Sequence, residues 1–82
     1  MSSQVSHNKR VRIKITAVYA QLDRLHMSQS DLARKAGLTT GYVSQVISGK
    51  RTPSPAVRQR IQDALGVDDF DELFELEVPY GM

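Results

Sequence analysis

Apolar residues recur along this chain in short sets, and most sets are bounded by residues that start or stop helices. Leu32, Ala33 and Ala36 share one helical face. Ser28 stands where an N-cap belongs, and Asp31, three residues later, completes a capping box with an acid one carbon shorter than usual. Gly37 then supplies a left-handed stop. A helix over 28–36 follows from these features. Ser54 and Pro55 read as the cap and first residue of another helix, with Val57, Ile61, Ala64 and Leu65 facing inward and Gly66 ending it. A short final helix starts at Asp68 or Asp69, with Phe70, Leu73 and Phe74 as its apolar face and acids in its first turn, where the helix dipole favours them.

The stretch between Gly37 and Ser54 gives conflicting signals. Thr, Tyr, Val and Ile crowd it, and these residues favour strands. As a strand, however, neither of its faces would be cleanly apolar. As a helix, Val43, Val46 and Ile47 fall at i, i+3 and i+4, with Thr39 as cap and Gly49 as stop. Unfavourable propensity costs a few tenths of a kcal/mol per residue and about 1 kcal/mol for glycine. Burying each large apolar side chain contributes about 1.5–3 kcal/mol. Packing outweighs propensity, so a helix is expected over 40–48.

The two ends are less determined. Val11, Ile15, Val18, Leu22 and Leu25 recur every three or four residues and place a first helix over 13–26. Val11, Ile13 and Ile15 also alternate with polar residues, as a short strand does. At the other end Leu76 and Val78 alternate with Glu75 and Glu77. That segment reads as a strand or a tail, able to pair with a two-fold mate or with Val11–Ile15, and Pro79 limits it.

Composition narrows the class. The 82 residues allow one small core, and the absence of cysteine excludes disulfides and thiolate metal sites. Nothing resembles a signal peptide, and no apolar run approaches membrane-spanning length. The net charge of +2 conceals a polarity. Residues 1–62 carry all 11 Lys and Arg against Asp23 and Asp31, giving +9, whereas residues 63–82 carry seven acids and no base, giving −7. So basic a body suits a polyanion, although a solvated surface whose ends attract one another has the same composition. His7 and His26 have no ligand-like spacing, and the acids from Asp68 to Glu77 lack an EF-hand's glycine and ligand pattern. No catalytic residue, metal or cofactor is expected.

Two capped helices joined by a tight turn form a helix-turn-helix. The segments SQSDLARKAGL and VSQVISGKRTPS, followed by VRQRIQDALGV and DDFDELF, resemble the phage repressor and Cro-like (XRE-type) helix-turn-helix family over about residues 15–74. The resemblance implies an all-α fold: a compact five-helix lambda-repressor-like domain at 13–75. A flexible basic segment at 1–12 precedes it, and a short C-terminal strand or tail at 76–82 follows. It further implies that the helix over 40–48 enters the major groove of double-stranded DNA, since an α-helix fits that groove and its N-terminal residues meet base edges.

The exposed side of that helix carries Thr40, Gly41, Tyr42, Ser44, Gln45 and Ser48. By alignment with the family, Thr40, Gly41 and Gln45 occupy base-facing positions. Gln45 offers a donor and an acceptor for adenine, Tyr42 and Ser44 lie on the same side, and Gly41 gives clearance for close approach. Phosphate contacts are expected from Gln29, at a helix start that favours anions, and from Thr39, Ser48, Lys50 and Arg51. Arg34, Lys35, Arg58 and the 9–14 cluster are weaker candidates.

A single helix-turn-helix buries little DNA surface, so a homodimer on a palindromic operator is expected, with Phe74, Leu76, Val78 and Tyr80 as candidate dimer contacts. The acidic end should lie away from the recognition helix. The function expected is a cytoplasmic repressor, bacterial or phage-encoded, that joins the nucleoid when bound and has no membrane partner. Two alternatives stand beside it: an antitoxin-like or controller protein whose acidic end holds a protein, and an adaptor without base readout.

Overall fold

A computed structural model describes residues 10–77. Strand β1 (Arg10–Ile13) leads into α1 (Ile15–Leu25), α2 (Gln29–Ala36), α3 (Thr40–Ile47), α4 (Pro55–Leu65), α5 (Phe70–Leu73) and strand β2 (Phe74–Glu77). The five-helix architecture agrees with the expected fold class, and the two strands tie its ends together.

The interior helices start and stop where local chemistry dictates. The Ser28 hydroxyl accepts from the Asp31 amide at 3.1 Å, and Asp31 Oδ2 accepts from the Ser28 amide at 2.9 Å, closing the capping box. Ser54 caps α4 through the Val57 amide at 3.3 Å. Gly37 and Gly66 end α2 and α4 at φ of 73° and 68°, in the left-handed region that disfavours a Cβ. His26 ends α1 in the same region at φ 56° and ψ 44°, a conformation in which histidine is enriched among non-glycine residues. The Met27 amide then donates to the Leu22 carbonyl at 2.9 Å. Lone His26 thus has a backbone role.

α2 packs against both α3 and α4. The core joins Val18 and Leu22 of α1 to Leu32 and Ala33, Val43, Val46 and Ile47, and Ile61 and Leu65 from the next three helices. Gln62 is buried among them, yet its Nε2 donates to the carbonyls of Val67 (3.2 Å) and Asp68 (3.0 Å). This polar group is therefore satisfied, and it holds the turn between α4 and α5.

The ends differ from expectation. α1 begins at Ile15 rather than 13, and Arg10–Ile13 form β1, antiparallel to β2 with Val11 opposite Leu76 and Ile13 opposite Phe74. The strand reading of Val11 and Ile13 prevails because pairing satisfies their backbone and buries Ile13 against the core. The Lys14 amide donates to the Leu73 carbonyl at 2.7 Å where β1 passes into α1. The expected boundaries at 12/13 and 75/76 therefore cut through strands. α5 stops at Leu73, and Phe74 opens β2 fully buried, stacked on Phe70 with ring centroids 5.3 Å apart. Phe74 is a core residue rather than a surface for a dimer partner. Leu76 is 56% exposed, and Val78 and Tyr80 lie outside the described residues.

Candidate nucleic-acid interface

α3 is fixed from below. Val43, Val46 and Ile47 are buried at 4% exposure or less, which sets the rotation of the helix and turns the remaining positions outward. The Thr39 hydroxyl oxygen accepts from the Tyr42 amide at 3.1 Å and holds the first turn. Thr39, Thr40, Gly41, Ser44, Gln45 and Ser48 are exposed, and Tyr42 is half-buried. A Cβ added at Gly41 would meet no heavy atom within 4 Å, so the free protein imposes no need for glycine there.

The loop after α3 folds back onto it. Gly49, at φ 84°, reverses the chain, and the amides of Lys50 and Arg51 both donate to the Gln45 carbonyl, at 2.9 and 3.2 Å. The Ser48 hydroxyl donates to the same carbonyl at 3.2 Å. Arg51 goes further: its Nε–H donates to Gln45 Oε1 at 2.8 Å, and its guanidinium carbon lies 5.4 Å from the centroid of the Tyr42 ring. Lys50 is exposed beside this group.

Gln29, the first residue of α2, donates from Nε2 to the Tyr19 hydroxyl at 2.8 Å. Tyr19, 43% exposed on α1, was not singled out by the sequence pattern. Its signal is weak: a tyrosine one turn after Ile15, at the margin of the apolar face. Other basic residues serve the scaffold. Arg60 donates to the Gly37 carbonyl at 3.4 Å, supporting the turn of the motif, and Arg58 donates to the Pro53 carbonyl at 3.4 Å while lying over Phe70. Arg34 pairs with Asp31 on the surface of α2. The Asp31 carboxyl is held below the usual carboxylate range, first by the Ser28 backbone N–H and then by Arg34 and the Ser28 hydroxyl.

A family model described as helix-turn-helix matches residues 18–70, from the second turn of α1 to the start of α5. The chain belongs to the Cro/C1-like, XRE-type helix-turn-helix family. It is a DNA-binding helix-turn-helix regulator, and this family is one of regulators rather than enzymes. The match covers both helices of the motif and the turn between them, whereas β1 and β2 lie outside it. No curated protein and no solved structure gives a significant match. Among the described residues no helix is long and apolar enough to cross a membrane.

Proposed function

We propose that the chain is a sequence-specific repressor that binds a palindromic operator in double-stranded DNA as a homodimer, with α3 in the major groove. One observation carries this reading. The outward side of α3 is polar and sterically open at Gly41, and the loop that folds back onto the end of the helix carries Lys50 and Arg51. Thr40, Gly41, Tyr42, Ser44 and Gln45 then face base edges. Gln29, Thr39, Ser48 and Lys50 take the phosphates, supplying the salt-dependent share of affinity. The dimer contact falls to Leu76, with Val78 and Tyr80 beyond it. A cytoplasmic protein of bacterial or phage origin fits this role.

The controller or antitoxin-like alternative draws on the C-terminal part of the chain. There exposed Leu76 follows the exposed acids Asp68, Asp69, Asp71, Glu72 and Glu75, a surface suited to a basic protein partner.

Selection of binding sites from random duplex DNA by the full chain tests the proposal. The expected result is a palindrome with half-sites about 34–36 Å apart, preferred over random DNA by about 10³ or more. Gln45→Ala should then relax one position in each half-site, costing about 1–3 kcal/mol on the selected duplex. An unselective chain that instead binds a protein tightly would overturn the repressor reading in favour of an adaptor.

A further inference from the structure

We propose that Arg51 is a base-reading residue rather than a phosphate contact, and that Tyr42, Gln45 and Arg51 form one recognition unit selecting guanine. The inference rests on the sequence-specific reading above.

Arg51 lies outside α3, yet its side chain is held on the face of that helix. Its amide is tied to the Gln45 carbonyl (3.2 Å) and its Nε–H to the Gln45 side chain (2.8 Å). The Tyr42 ring, 5.4 Å from the guanidinium carbon, gives the planar group a surface to rest on. An arginine bound for a phosphate has no need of this support. Held in this way, it loses less freedom when it binds, and the orientation of its fork is set beforehand.

The chemistry of the pair indicates what it reads. Nε–H can only donate, so the Gln45 amide must turn its oxygen toward Arg51, and this fixes an orientation that heavy-atom positions alone leave ambiguous. One lone pair of Oε1 is then engaged, and the Nε2 donors face away. Adenine recognition needs both the acceptor and the donor of the amide. Arg51 therefore takes one of the two acceptor positions of Oε1, while both Nε2 donors of Gln45 stay open. The two Nη groups of Arg51 have no partner among the described residues. With Nε occupied, their open edge is the end-on fork, which matches the paired acceptors O6 and N7 of guanine. The unit as a whole presents donors, and guanine presents two adjacent acceptors in the major groove.

The full chain, Arg51→Lys and Arg51→Ala should each select sites from random duplexes, followed by titration of the wild-type site across a salt series. Arg51 is exposed, and a thermal melt of each variant verifies the fold. The expected wild-type half-site contains a required guanine. Arg51→Lys should lower that preference about tenfold or more while keeping the other positions. Because the charge is conserved, the slope of log affinity against log salt should stay unchanged. The inference is overturned if the half-site requires no guanine, or if Arg51→Lys retains the guanine and Arg51→Ala weakens all duplexes equally with a slope smaller by about one. Either result leaves the repressor reading standing. A wild-type chain that selects no sequence would overturn both.

Discussion

Replacing Gly41 by alanine should improve the free protein and impair the bound one. Glycine inside a helix costs conformational entropy, because the unfolded chain has more states to lose. Gly41 is absent from the positive-φ residues, so alanine adopts its backbone conformation without strain. The added methyl meets no heavy atom within 4 Å, so no steric penalty offsets the gain. The substitution should therefore stabilise by about 0.4–1 kcal/mol. For a domain of this size that raises Tm by about 2–8 °C. With α3 in the groove as proposed, the same methyl would occupy the gap that the helix closes against DNA. Forcing an extra methyl into a close-packed contact costs about 1–3 kcal/mol, a loss of affinity of about 5- to 150-fold. Thermal melts by circular dichroism measure the first quantity, and titration of the selected duplex at fixed salt measures the second. A more stable variant with unchanged affinity would refute the idea that glycine is needed for close approach. A less stable variant would refute the claim that the free protein leaves this position open.

Lys50→Ala should weaken binding to every duplex alike and reduce the salt slope by about one, as loss of a single phosphate contact does; a change in selected sequence would instead make Lys50 a base reader. Asp31→Asn should lower Tm at neutral pH. The lowered carboxyl pKa means that the wild-type contribution is present above the ordinary value of 3.8 and lost as pH falls through the folded value, so the gap between the two melts should close in acid. A gap that is constant with pH would detach the effect from ionisation. Phe74→Ala should cost about 3–5 kcal/mol in chemical denaturation because the ring is fully buried. Leu76→Glu should alter monomer stability by less than about 0.5 kcal/mol yet shift sedimentation toward the monomer; a dimer that survives would move the interface elsewhere.

The elements that sequence resolves best here are those decided by neighbours in the chain. Ser28 with Asp31, Thr39 with Tyr42, and Ser54 with Val57 are contacts over three residues, and each of these helices begins where its cap stands. Helical period likewise separated buried Val43, Val46 and Ile47 from exposed Thr40, Gly41, Ser44 and Gln45, although β propensity argued the other way. The same reasoning fails at the ends for a physical reason. Val11 and Ile15 satisfy both periods, with Ile13 between them fitting only the strand, and the choice is made by Phe74 and Leu76, more than sixty positions from their partners Ile13 and Val11. Phe74 shows that burial and element type are separate questions. Its apolar spacing after Phe70 and Leu73 marked it as inward-facing, and it is, but from a strand. The contact of Arg51 with Gln45 was out of reach for another reason. It depends on how tightly the chain turns at Gly49, and a basic Gly-Lys-Arg loop gives no sign that one of its side chains returns to the helix.

Charge follows the same logic of distant pairing. A chain with +9 at one end and −7 at the other would, as two separated lobes, present its acids far from any bound polyanion. The sheet prevents that separation. Its register sets Arg12 opposite Glu75, and facing opposite charges stabilise a strand pair by about 0.2–1 kcal/mol. β1 also lies beside the loop after α3: a Cβ at Gly49 would come within 3.9 Å of an Arg12 guanidinium nitrogen. Arg10, Arg12, Gly49, Arg51 and Thr52 line a common gap, and among the described residues none from β2 lines it. The basic strand is therefore the one that neighbours the loop after α3, with the acidic strand paired alongside it. Reversing the charges of the two strands would keep their mutual attraction and the fold, but it would set carboxylates beside the loop of Gly49, Arg51 and Thr52 and oppose a polyanion approaching there. Attraction between the strands thus leaves the choice of sign open, and the proposed approach of DNA to the neighbouring loop gives a physical reason for basic residues on β1.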